Sequence, residues 1–225
     1  MEKSFVKVKN AFTLAEVLIT LVVIGVIAAM TIPNVINNTK KHEYVSGLKK
    51  AYSTLKSVTN QIMVEEGAPR GDAGGWAKSS ENIGLLYKSK LNISKECLNT
   101  VGCFEQLSNS SPNYYVSLGG NQQATGNLNA YTSINKVVLA DGTQIAFLSP
   151  DESCNGSGSF GVNYCAAIYI DINGQGKPNR LGRDFFVFLI KEDGLYPAGC
   201  DSNTYCTPDG WGCACKVLRE NAMNY

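Results

Sequence analysis

The sequence predicts an α+β fold in which a long N-terminal helix packs on a small antiparallel β-sheet. Three observations predict it. An uncharged run from Val17 to Thr39 leads straight into apolar residues spaced three and four apart. Four short runs rich in β-branched and aromatic residues fall between positions 134 and 190. All eight cysteines lie beyond position 96, so the N-terminal element and the sheet region differ in chemistry.

The helix begins in an apolar stretch, Phe12 to Ile32. About 21 residues at 1.5 Å each make roughly 30 Å of helix, the thickness of a bilayer core. Lys3, Lys7 and Lys9 outweigh Glu2 in the preceding leader, which keeps that end cytoplasmic. A secretory signal peptide would place its cut after the apolar run. Here the run passes without a break into further helical pattern. A plain transmembrane anchor explains everything except Glu16. A carboxylate inside such a segment costs about 2.5–3.5 kcal/mol on insertion scales and so marks a functional position.

Past the span, Val45, Leu48, Tyr52, Leu55, Val58 and Ile62 trace one helical face, with Lys40, Lys41, Lys49, Lys50 and Lys56 on the rest. Gly67 and Pro69 supply a stop. The expected organisation is a leader over 1–11, a transmembrane half over 12–33 and an amphipathic half over 34–66. Pro33 removes a backbone hydrogen bond and is followed by Asn34, Asn37, Asn38 and Thr39, which predicts a kink or a partly melted turn.

Residues 67–133 are rich in Gly, Ser and Asn and read as an irregular connecting region with short helices near 79–90 and 94–107. The sheet region is expected over 134–225. Residues 134–148 read as a hairpin with Asp141-Gly142 as a two-residue turn. Residues 165–172 and 184–190 read as two more strands.

Composition excludes several function classes. A net charge of +1 gives no global field for nucleic acid, and no basic patch with interleaved aromatics supplies a local one. His42 is the lone histidine, which removes Ser-His-Asp, Cys-His and His-ligated metal chemistry. The carboxylates are scattered and no phosphate-binding glycine loop precedes a helix. The expectation is a protein that is not an enzyme.

The cysteines form groups: Cys97 with Cys103, Cys154 with Cys165, and Cys200, Cys206, Cys213 and Cys215 near the C-terminus. Disulfides within each group are expected, in an oxidising compartment. A Cys213–Cys215 bond is geometrically poor, so Cys200 and Cys206 would bond to Cys213 and Cys215 in either order. A four-thiolate zinc site is the rival, but the spacing lacks C-x2-C pairs.

The stretch D171-I-N-G-Q-G-K-P-N-R-L-G-R-D184 lies between two predicted strands. Asp171, Asn173, Gln175 and Asp184 offer hard oxygen ligands, and Gly174 and Gly176 permit a tight loop. Part of it fits a calcium-binding EF-hand loop, but Gly182 stands where the bidentate Glu belongs. The alternative is a turn whose aspartates pair with Lys177, Arg180 or Arg183. No cofactor is demanded; calcium is the one candidate.

The N-terminal string K-N-A-F-T-L-A-E-V-L-I-T-L resembles the signal of type IV prepilins and type II secretion pseudopilins. The resemblance implies cleavage by a prepilin peptidase between Ala11 and Phe12, methylation of the new N-terminus, and an assembly role for Glu16. Ala11 departs from the Gly usual in that family, and Pro33 falls at its usual proline position. The resemblance further implies a pilin-like head, a structural subunit of a pilus or pseudopilus, and localisation in the inner membrane and then in a surface or periplasmic filament. Implied partners are other pilin or pseudopilin subunits, the inner-membrane assembly platform and its ATPase, and the lipid bilayer before assembly, with no nucleic acid. The 171–184 loop also resembles one common among pseudopilin-like proteins, some of which bind calcium near the C-terminus. The alternative function is a monomeric, membrane-anchored binding module carrying the same signal.

Overall fold

The computed structural model describes residues 12–70, 75–104, 115–120, 128, 131, 133–149, 153–156, 160–200 and 206–225. The leader, Ala11 and the 105–107 end of one expected helix lie outside the described residues. The chain divides into two compact units, 1–40 and 41–225.

Helix α1 runs Leu14–Glu66. It continues unbroken through Pro33 and the following asparagines, which corrects the expected melted turn. Thr31 Oγ1 donates to the Ile27 carbonyl at 3.0 Å and Thr39 Oγ1 to that of Val35 at 3.0 Å, so both hydroxyls bond back within the helix on either side of Pro33. Within the first unit the large apolar side chains from Phe12 to Ile36 are exposed. In the second unit α1 buries five of the six residues of the predicted face, Val45, Leu48, Leu55, Val58 and Ile62, together with Ala51, while the predicted Tyr52 is only half-buried. The helix stops at Gly67, whose φ of 82° lies in the left-handed region that glycine enters freely.

A short α2, Ser80–Lys88, starts at Ser79, whose hydroxyl accepts from the Asn82 N–H at 3.1 Å. The sheet then follows in sequence order, every neighbour antiparallel: β1 Ile93–Leu98, β2 Asn135–Leu139, β3 Gln144–Leu148, β4 Ala166–Asp171, β5 Phe185–Lys191 and β6 Gly194–Pro197. Helix α3, Cys213–Glu220, closes the described chain.

The sheet is covered on both faces, which explains why β4 and β5 read as continuous apolar runs instead of alternating ones. Ile145, Phe147, Ile168, Ile170 and Phe188 face the core that contains the α1 face, where Tyr52 stacks on Phe188 at 5.5 Å between ring centroids. Ala146, Ala167, Phe185, Val187 and Leu189 face a second core under Tyr115 and Phe160.

Three expectations are corrected. The expected helix over 94–107 is instead the edge strand β1 followed by a turn closed by Cys97–Cys103. Lys95 and Glu96 favour helix locally, but pairing with β2 decides the outcome. The sheet therefore begins inside the stretch read as connecting region. The β2–β3 turn has three residues, not two: the Leu139 N–H donates to the Thr143 carbonyl at 2.8 Å, and Gly142 takes a φ of 89°.

The cysteines are all paired. Cys97–Cys103 and Cys154–Cys165 form as expected within their groups. The order left open at the C-terminus resolves as Cys200–Cys215 and Cys206–Cys213, nested one inside the other.

Candidate functional site

Glu16 sits in the first turn of α1 and Thr13 directly precedes the helix. The Thr13 backbone N–H donates to Glu16 Oε2 at 2.8 Å, and the Glu16 N–H donates back to Thr13 Oγ1 at 3.3 Å. This reciprocal pattern is a capping box, read as T-x-x-E, and it satisfies two backbone donors that a helix start leaves orphaned. The Thr13 hydroxyl also donates to Glu16 Oε2 at 2.8 Å. Phe12, the residue after the expected cut, is 87% exposed. Thr13 is the functional residue that the sequence reading missed. Its signal was present, because Thr followed three positions later by Glu before an apolar run is the sequence mark of such a box.

The 171–184 loop has a different character from the one expected. Asp171 and Asp184 are both fully buried, while Gln175 is exposed and takes no part. Asp171 Oδ1 accepts from the Asn173 N–H at 3.2 Å, and Oδ2 accepts from the Tyr115 hydroxyl. Asp184 Oδ1 accepts from the Arg180 N–H at 2.7 Å and Oδ2 from the Asn179 N–H at 2.8 Å. Asn173 Nδ2 donates to the Lys177 carbonyl at 3.2 Å. Each carboxylate oxygen is thus already engaged by a donor.

Neither aspartate has an ion pair among the described residues, so the expected pairing with Lys177, Arg180 or Arg183 is replaced by backbone capping. Arg183 instead donates to the Tyr225 oxygen at 3.5 Å. Burial pushes the Asp171 carboxyl well above the usual carboxylate range, and the negative charge of Asp184 adds to it. Burial likewise raises Asp184. Calcium wants six to eight free oxygen ligands. Here each oxygen of Asp171 and Asp184 accepts one hydrogen bond and Gln175 is exposed, so a cation would have to share or displace those donors. No group of three or more His, Cys, Asp or Glu able to hold a metal occurs among the described residues. The loop acts as an acid-capped turn joining β4 to β5 and tying down the 115–120 segment, where the Val116 N–H donates to the Asn179 carbonyl at 3.1 Å.

Compared with known proteins, residues 7–32 match the family model of the prokaryotic N-terminal methylation motif. That motif is the type IV prepilin and pseudopilin signal. The match covers part of the leader, the Ala11–Phe12 junction, Glu16 and the apolar span, and it leaves the head unmatched. No curated protein and no solved structure gives a significant match.

Proposed function

We propose that this chain is a structural subunit of a type IV pilus or a type II secretion pseudopilus. A prepilin peptidase cuts between Ala11 and Phe12 and methylates the new amine. The first half of α1 rests in the bilayer, head outside the cytoplasm, and passes into the filament core as the assembly platform and its ATPase add the subunit. Glu16 meets the Phe12 amine of a neighbouring copy and sets axial register, while the apolar helices supply affinity.

The observation that carries this reading is the methylation motif at 7–32 joined to a helix with exposed apolar side chains all round its first half. A helix of that kind needs lipid or other helices around it.

The test is intact mass. The mature protein should match residues 12–225 plus one methyl group on Phe12. A mass retaining Met1 to Ala11 in cells that carry a prepilin peptidase would overturn the reading. Correct processing with a stable monomer and no filaments would favour an anchored binding module instead.

A further inference from the structure

We propose that the Cys200–Cys215 bridge is a modification site on the head, opened by a small acidic thiol of the glutathione class that becomes disulfide-linked to Cys200. The site stands on the geometry of the head and does not depend on filament assembly.

This bridge differs from the other three in where its sulfurs lie. Cys97 and Cys103 belong to one apolar core, and Cys154, Cys165 and Cys213 to the other, against which Cys206 also packs. Cys200 and Cys215 belong to neither. Cys200 is exposed. Cys215 is buried, but it borders a cavity of about 490 Å³.

The cavity carries a charge bias. Lys216 and Arg219 line it against a single carboxylate, Glu220. Lys216 Nζ stands 4.0 Å from Glu220 Oε1, and Arg219 has no ion pair among the described residues. The cavity beside Cys154–Cys165 is balanced instead: Glu192 and Asp193 face Arg70 and Lys191, with Arg70 paired to Glu192 at 3.1 Å.

In thiol–disulfide exchange a thiolate attacks one sulfur and the other leaves. The rate rises with access to the first and with the stability of the second as a thiolate. Here both conditions select the same direction. The incoming thiol loses its proton to solvent, and its sulfur attacks Cys200 Sγ. The old S–S bond breaks and its electron pair stays on Cys215 Sγ, while a new S–S bond joins the thiol to Cys200. The incoming sulfur is oxidised and Cys215 is reduced, so the exchange needs no other oxidant or reductant. Cys215 lies in the first turn of α3, at the positive end of that helix and next to Lys216 in sequence. That is the setting which favours a thiolate. Attack on Cys206 would instead release Cys213 as a thiolate inside the apolar core, where burial opposes the charge.

The experiment treats the purified full-length chain, in detergent, with millimolar reduced glutathione. The reaction is quenched with acid at early times, free thiols are alkylated, and the peptides are mapped by mass. Glutathione should sit on Cys200 and the alkyl group on Cys215 while the other three bridges stay intact. Cysteamine, a thiol of opposite charge, serves as the comparison. Lys216→Gln with Arg219→Gln should lower the ratio of the glutathione rate to the cysteamine rate about fivefold, the scale of one close ion contact in water. Because it is a ratio, a general loosening of the bridge cancels. Opening of another bridge first, or glutathione on Cys215 instead of Cys200, would overturn the site. An unchanged ratio would overturn the acidic class of the thiol.

Discussion

Helix α2 lies so close to the sheet that one hydrogen atom decides the fit. A Cβ built on Gly84 would fall 2.2 Å from Asn135 Cγ, 2.5 Å from its Oδ1 and 2.7 Å from its Cβ. Asn135 is 1% exposed, and neither of its amide atoms has a hydrogen-bond partner. Gly84→Ala gains about 1 kcal/mol of helix propensity. Overpacking of this severity costs about 3 kcal/mol, the upper end of its usual range. The net loss of about 2 kcal/mol lowers the melting temperature by about 4–8 °C in a chain of this size. Asn135→Ala removes Cγ and Oδ1, the two closest obstacles, along with an unpaired buried amide whose desolvation costs about 1–3 kcal/mol. The double variant should therefore melt well above the sum of the single effects, with a coupling of about 1–2 kcal/mol. Thermal unfolding of the mature protein and its three variants in detergent closes the cycle. Gly84→Ala melting at or above wild type, or strict additivity, would refute the argument.

Three further outcomes are expected. Glu16→Ala should leave export and cleavage intact but impair filament assembly, and Thr13→Ala should show a milder form of the same defect, since it keeps the backbone bond to Glu16 and loses only the hydroxyl; electron microscopy and processing blots check both, and normal filaments from Glu16→Ala would make the carboxylate dispensable. Asp171 and Asp184 hold their protons in the folded head at pH values where the unfolded chain has released them, so stability falls as pH rises from about 4, the unfolded carboxylate pKa, through the raised folded values. Acidification through that window should thus raise the melting temperature, and Asp171→Asn should flatten that slope relative to wild type. Millimolar calcium should leave the melting temperature of chelated protein unchanged; a rise abolished by Asp171→Ala would show that the loop can rearrange into a cation cage.

The α1 pattern was legible because one periodicity governs a long element, and a stripe from Val45 to Ile62 cannot be mistaken for a strand. Strands β4 and β5 were legible from continuous apolar runs. Strand β1 was not: it is an edge strand with its middle residues exposed and two irregularities in its register, so its sequence carries almost no core signal. Helix α3 was missed for another reason. Cys213 and Cys215 in its first turn are weak helix formers, and the element is held by two cross-links and by burial of Ala214 and Val217. In the 171–184 loop the oxygen-bearing residues were visible, but Tyr115, which occupies one oxygen of Asp171, comes from a segment 56 positions earlier that no local motif announces.

A carboxylate in an apolar span is a standing cost, and the capping box explains how the chain can carry it. Without Thr13, the start of α1 would present orphaned N–H groups and Glu16 would present an unpaired charge, two penalties that would fall in the same low-dielectric place in the proposed membrane or filament setting. Setting them against each other removes much of both, since a carboxylate is the acceptor best suited to a positive helix end. The arrangement is also incomplete by design. Glu16 Oε2 takes both Thr13 donors while Oε1 accepts no hydrogen bond from the described residues. An ionised carboxylate has acceptor capacity for a further donor on that second oxygen. In the proposed filament the methylated amine of Phe12 from a neighbouring copy would supply it. The subunit would then exchange a tolerable position in lipid for a fully paired one in the core, without ever uncapping its own helix.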